Sequence, residues 1–212
     1  MIGRIRTAIA GLVGQPGMDP RSANMWRRAR DLRGLGGCMA GWLSGGLAAR
    51  PGYHGRCDVD EDLVPGLTDT LAAACNAGYV IDQSQVGWPH DKRPTAAAAV
   101  VGFCDDQTMQ DLVQLARSEG LSAIACITPR SRRYPRRDMS VFGVRSVRNL
   151  RDAWTGYGVC HPDAVASLVN AWQVELADPR VGSNDRLWPA LRQWADGRQS
   201  RHVPVGHETP TA

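Results

Sequence analysis

The stretch Ala96-Ala97-Ala98-Ala99-Val100-Val101-Gly102-Phe103 is apolar at every position and runs straight into Cys104, Asp105 and Asp106. A strand with one face in water alternates apolar and polar residues. An unbroken apolar run of this length, ended by residues that start helices, reads as a strand covered on both faces and central in its sheet. The rest of the chain has to be arranged around that strand.

Asp105 or Asp106 supplies the cap of a following helix on Met109, Leu112, Val113 and Ala116, which ends at Gly120. Leu121 to Ile127 is then a strand, and Val141 to Val147 another. Upstream, Val64, Leu67, Leu71, Ala74 and Cys75 share one helical face, with Gly78 placed for a left-handed C-terminal cap, and Tyr79-Val80-Ile81 is a strand. From Trp26 to Leu47 the apolar positions recur at three and four, and Gly34, Gly36 and Gly37 divide the pattern into two short helices meeting at a bend. The order helix, strand, strand, helix, strand, strand predicts an α/β (α+β) two-layer sandwich: a small mixed four-stranded sheet with helices on one face. Val165, Leu168, Val169, Trp172 and Leu176 read as a helical stripe behind Pro162, and Leu187, Trp188, Leu191 and Trp194 as a second one. The chain thus divides into a flexible tail over 1–22, the α/β domain over 23–150, a helical C-terminal extension over 151–196 and a disordered tail over 197–212. Met18 and Met25 allow a start downstream of Met1.

The 212 residues, 43% of them hydrophobic and 22% charged, suit a soluble protein, and no apolar run approaches the length of a membrane span. The six cysteines, Cys38, Cys57, Cys75, Cys104, Cys126 and Cys160, contain no C-x-x-C pair. Scattered in this way they behave as small buried hydrophobes of a reducing compartment, and the expected location is cytoplasmic. The short apolar segment after Arg4 and Arg6 is broken by Gly11 and Gly14 and lacks the form of a signal peptide. His54-x-x-Cys57 is one half of a zinc site without a second half, and the acids between Asp58 and Asp62 match no calcium loop. No cofactor and no metal are assigned.

Between the strands at Ile81 and Ala96 lies a polar connection, Asp82 to Thr95, far longer than the two to five residues that close a hairpin. Within it Gln83, Ser84 and Gln85 offer neutral donors and acceptors, Gly87 permits close backbone approach, Trp88 offers a stacking face, and His90 adds positive charge beside Lys92 and Arg93. These residues form the candidate recognition site for a small anionic ligand, a nucleotide or a protein partner. Asp82, Ser84 and His90 are the three triad types, but Ser84 lacks the G-x-S-x-G turn that exposes a nucleophile, and no catalytic residue is assigned.

A second candidate is basic. Arg130, Arg132, Arg133, Tyr134, Arg136 and Arg137 lie close together in the connection after Ile127. Arginines neutralise phosphates and an interleaved tyrosine stacks a base, so RNA or single-stranded DNA is the alternative partner. A nucleotide- or RNA-modifying enzyme is the third class, with the polar loop holding substrate.

Trp26-Arg27-Arg28-Ala29-Arg30-Asp31-Leu32, Trp42-Leu43, Pro51-Gly52-Tyr53, Gly66-Leu67-Thr68, Asn76-Ala77-Gly78-Tyr79-Val80, Ser84-Gln85 and Ala98 to Phe103 stand in a fixed order. Together they resemble an uncharacterised domain family of actinobacteria, common in Streptomyces and its mobile elements, over about residues 26–127. That resemblance implies no activity. Ser84-Gln85-Val86-Gly87 also looks like the Ser-Cys-x-Gly motif of a tRNA wybutosine-synthesis methyltransferase family, with glutamine in place of cysteine.

Overall fold

The structure, a computed structural model, describes residues 18–54, 57, 59–88, 96–127 and 159–201. Two helices open it, α1 (Pro20–Arg28) and α2 (Leu32–Leu43). Each starts on an aspartate: the Asp19 carboxylate accepts from Ser22 N–H, and that of Asp31 from Gly34 N–H. The bend expected at the glycines therefore falls earlier, between Arg28 and Leu32. Gly34, Gly36 and Gly37 lie inside α2, which keeps its helical form because Asp31 caps it and its buried face packs on the next helix.

A two-stranded ribbon follows, β1 (Ala49–Arg50) with β2 (Tyr53–His54), and then α3 (Leu67–Asn76). The main sheet is built from β3 (Val80–Gln85), β4 (Ala99–Cys104), β5 (Ser122–Ile127) and β6 (Trp172–Ala177). Between β4 and β5 runs α4 (Asp106–Glu119), capped by Asp105 and closed by Gly120 in the left-handed region, as its sequence predicts. Before β6 comes α5 (Pro162–Val169), and α6 (Leu187–Ser200) ends the described chain.

The strand order is β3-β4-β6-β5, and the α+β architecture is that predicted from the sequence. Every adjacent pair in the sheet is antiparallel, where a mixed sheet was expected. β4 and β5 do run the same way, joined by the α4 crossover, but β6 is inserted between them in the opposite direction. The segment expected as a strand over 141–147 lies outside the described residues.

The larger correction is β6 itself. Its residues read as the continuation of a helix, and they form a strand at the centre of the sheet. Trp172 and Leu176 fit either period. Val174 decides it: Trp172, Val174 and Leu176 alternate with Gln173 and Glu175, and the helix stops at Asn170, whose side-chain amide donates back to Ala166 O.

The central position read for the Ala96–Phe103 run holds, since β4 is buried at all six positions and pairs on both edges. Core side chains of the sheet, among them Val100, Val174 and Leu176, join those of α2, α3, α4 and α6 in one hydrophobic cluster. Tyr79 crosses β4 inside that cluster. Its hydroxyl donates to Val174 O at 2.8 Å and lies 3.2 Å from Val100 O, and its ring covers Gly102.

Candidate functional site

The polar residues expected in the loop after Ile81 belong largely to β3. Gln83, Ser84 and Gln85 pair with Val101, Val100 and Ala99, while the register slips by one residue between Ile81 and Gln83 and leaves Asp82 without a partner. Such a bulge breaks strict alternation and re-aims side chains. As a result four successive residues, Ile81 to Ser84, border one cavity of about 310 Å³.

Its other walls come from helices and from the small ribbon. Met39, Trp42 and Leu43 of α2 and Leu71 of α3 supply an apolar side, and Cys57 and Val59 close another. The polar side is Arg50 of β1 with Asp82, Gln83 and Ser84 of β3. β1 is held in place from α1: the Trp26 indole N–H donates to Ala49 O at 3.0 Å, and Ser22 Oγ accepts from Ala48 N–H at 3.1 Å. Trp26 is fully buried, so the arginine next to Ala49 stands on a rigid base.

Arg50 Nη1 lies 3.3 Å from Asp82 Oδ1, and the guanidinium sits 5.2 Å from the centre of the Trp42 ring. The side chain of Asp82 is 7% exposed and that of Arg50 19%. Burial pushes the Asp82 carboxyl above the ordinary carboxylate range, with Arg50 pulling in the other direction. Arg50 and Asp82 are the charged residues of the cavity, and the sequence does not single out either as a binding residue. The available signal was a carboxylate in mid-strand, which requires a buried cation nearby.

The remaining candidates separate from the cavity. Gln85 donates through Nε2 to Ala97 O at 3.1 Å, across its own hairpin. Gly87 is held by Asn184, whose Oδ1 accepts from Gly87 N–H at 2.7 Å and whose Nδ2 donates to Gly87 O at 2.8 Å. A Cβ on Gly87 would stand 2.3 Å from Ser183 O, so the absence of a side chain permits this close backbone contact. That contact belongs to a clasp. The turn after β6 donates Asp178 N–H to Ala98 O and Gly182 N–H to Ala96 O, and the buried Asp178 carboxylate accepts from Arg180 and Ser183. Burial opposes ionisation of Asp178, but these bonds together hold its pKa below the usual value. Trp88 is 44% exposed beside its bridge to Ala96. His90, Lys92 and Arg93 lie outside the described residues, as do Arg130, Arg132, Arg133, Tyr134, Arg136 and Arg137.

None of the six cysteines is joined in a disulfide. Burial pushes the Cys38 thiol up to about 11 and those of Cys75 and Cys160 to about 12, and it pushes Cys104 higher still, with Asp105 adding to the effect. These are thiols kept protonated, and the reading of Cys104 as structural agrees with its complete burial. Among the described residues no three His, Cys, Asp or Glu side chains converge as a metal site, and no helix is long and apolar enough to cross a membrane.

Fold and cavity together define an antiparallel α+β domain with a part-apolar pocket between its first helices and the edge strand of its sheet. The chain belongs to the family described as Domain of unknown function (DUF6919), which it matches over residues 21–195. That span takes in β6 and most of α6 as well as the N-terminal helices. No curated protein matches the chain.

Proposed function

We propose that this protein is a recognition module that holds a small organic ligand in the cavity bounded by α2, β1 and β3. The observation that carries this reading is the convergence of Arg50, Asp82, Gln83 and Ser84 on one side of a pocket whose other side is Trp42, Met39 and Leu71. Small-molecule sites have this composition: a mostly apolar wall for affinity and a few placed polar groups for orientation, in volumes of roughly 300 Å³ upward. A single cation among the described lining residues suits one acidic or polar head group better than a polyphosphate. Four buried and two half-buried thiols, none of them in a disulfide, support placing the protein in a reducing compartment, the cytoplasm.

Thermal melting against a set of small organic acids, amides and alcohols tests the reading. A ligand at a hundred times its Kd stabilises by about 2.7 kcal/mol, which for a chain of this size raises Tm by about 5–10 °C. The double variant Gln83→Ala, Ser84→Ala should melt within about 2 °C of the parent without ligand, because exposed and half-buried polar side chains contribute little to folding. It should lose the ligand-induced rise. A variant that keeps the full rise, or that melts far below the parent on its own, refutes the assignment.

A further inference from the structure

The two charges of the cavity are not equally placed. Arg50 is the more exposed partner, and its guanidinium carries five N–H donors in a fork that matches a planar carboxylate or a sulfonate. Asp82 lies deeper and on the strand bulge, where no partner residue across the sheet competes for it. An entering anion meets the guanidinium first.

We propose that the ligand is an organic monoanion, a carboxylate or sulfonate on an apolar body, and that it takes over the Arg50 guanidinium while a proton from solvent is taken up by Asp82. This inference rests on the assignment of the cavity as the ligand site. Before binding, the pocket holds one guanidinium cation and one carboxylate anion. After binding it holds the same cation, the ligand anion and a neutral carboxylic acid, so its net charge does not change. Without the proton, two anions would share one cation beside a carboxyl that is only 7% exposed, which raises the pKa of the less solvated one. Burial already raises the pKa of Asp82, and Arg50 opposes that rise. A ligand that engages the arginine weakens the opposition.

No other described group is placed to take the proton's role. α2 contributes Met39, Trp42 and Leu43, and α3 contributes Leu71, none of them titratable. On β3, Gln83 and Ser84 are neutral. Arg50 of β1 is the cation that the ligand engages, with donors and no acceptor, and Cys57, from the segment after β2, offers a thiol rather than a carboxylate.

The test uses naphthalene-2-sulfonate, whose own acid group remains ionised at every working pH, and its uncharged analogue 2-naphthalenemethanol. Titration calorimetry in two buffers of different ionisation enthalpy counts the protons taken up. The sulfonate is expected to bind with uptake approaching one proton, its Kd weakening by up to about tenfold for each pH unit above the Asp82 pKa. The alcohol should bind more weakly and with no uptake. Asp82→Asn should bind the sulfonate with a Kd that does not change with pH and with no uptake. Sulfonate binding without proton uptake in the parent, or alcohol binding as tight as sulfonate binding, overturns the proton-linked anion while leaving the cavity as a ligand site. Absence of binding by both probes across the pH range overturns the inference and the ligand site together.

Discussion

Gly102→Val is expected to destabilise the fold by about 3 kcal/mol or more, the upper end of what overpacking a core costs, and to lower Tm by about 6–12 °C. Gly102 sits at the centre of β4, with a neighbouring strand on each side. A Cβ there would stand 2.5 Å from Val80 O, 2.8 Å from Tyr79 Cε2 and 2.9 Å from Ile81 Cα. Two of those three atoms are backbone, so the strand edge itself would have to move. The third belongs to the ring whose hydroxyl is tied to Val174 O, and moving it puts that buried hydrogen bond at risk as well. Gly37→Ala is the control. It lies exposed in α2 with nothing within 4 Å of its Cβ position, and replacing a helical glycine there should be neutral or stabilising by up to about 1 kcal/mol. Thermal denaturation of both variants measures the contrast. Equal melting of Gly102→Val and the parent would mean that Tyr79 does not lie across β4.

The same glycine shows why some of the fold was legible and some was not. The centrality of β4 could be read because an apolar run needs cover on both faces, whatever supplies that cover. Capping residues announced α4 at both ends, since Asp105 and Gly120 act within a few residues of themselves. β6 was missed because its evidence is not local. Spacing three and four along Val165, Leu168, Val169, Trp172 and Leu176 satisfies a helix, and only pairing with β4 and β5, both far away in sequence, makes a strand of Trp172–Ala177. The bend between α1 and α2 was displaced for a related reason. Glycines that weaken an isolated helix are tolerated when one face is packed.

The site was half legible. Gln83 and Ser84 reach the cavity, while Gln85 and Gly87 complete the hairpin and its clasp. Composition alone cannot separate these pairs, because a bulge at Ile81 decides which side chains share a face. Trp42 and Arg50 come from elements thirty or more residues upstream of β3, and nothing in the local sequence of either says that they meet Asp82. Asp82 itself carried the clue. A carboxylate that directly follows the apolar Tyr79-Val80-Ile81 run needs a cation once the strand extends past it, and 25 basic residues left the partner undetermined.

Arg50→Met is expected to cost about 3–5 kcal/mol at neutral pH, because removing one partner leaves the other charge buried and unpaired. The loss should depend on pH in a definite direction. Asp82 has a folded-state pKa raised above its ordinary value of 3.8, chiefly by burial, and Arg50 is what limits the rise. A carboxyl with a raised folded pKa contributes its full stability below the unfolded value and loses it as pH climbs through the folded value. Without Arg50 that folded value moves higher, so the loss continues to a higher pH than in the parent. The gap between parent and Arg50→Met should therefore be smallest near pH 4, where Asp82 is neutral in both proteins, and widen toward pH 8, where the variant alone leaves the carboxylate without its cation. Adding Asp82→Asn to Arg50→Met removes the buried charge altogether, and the double variant should recover most of the lost stability and show little of the pH trend. Urea denaturation of the three proteins at acid and neutral pH separates these effects. A gap that stays constant with pH would mean that the carboxylate of Asp82 is solvated in the native protein, and the cavity would then lack the buried charge that makes Arg50 a recognition group.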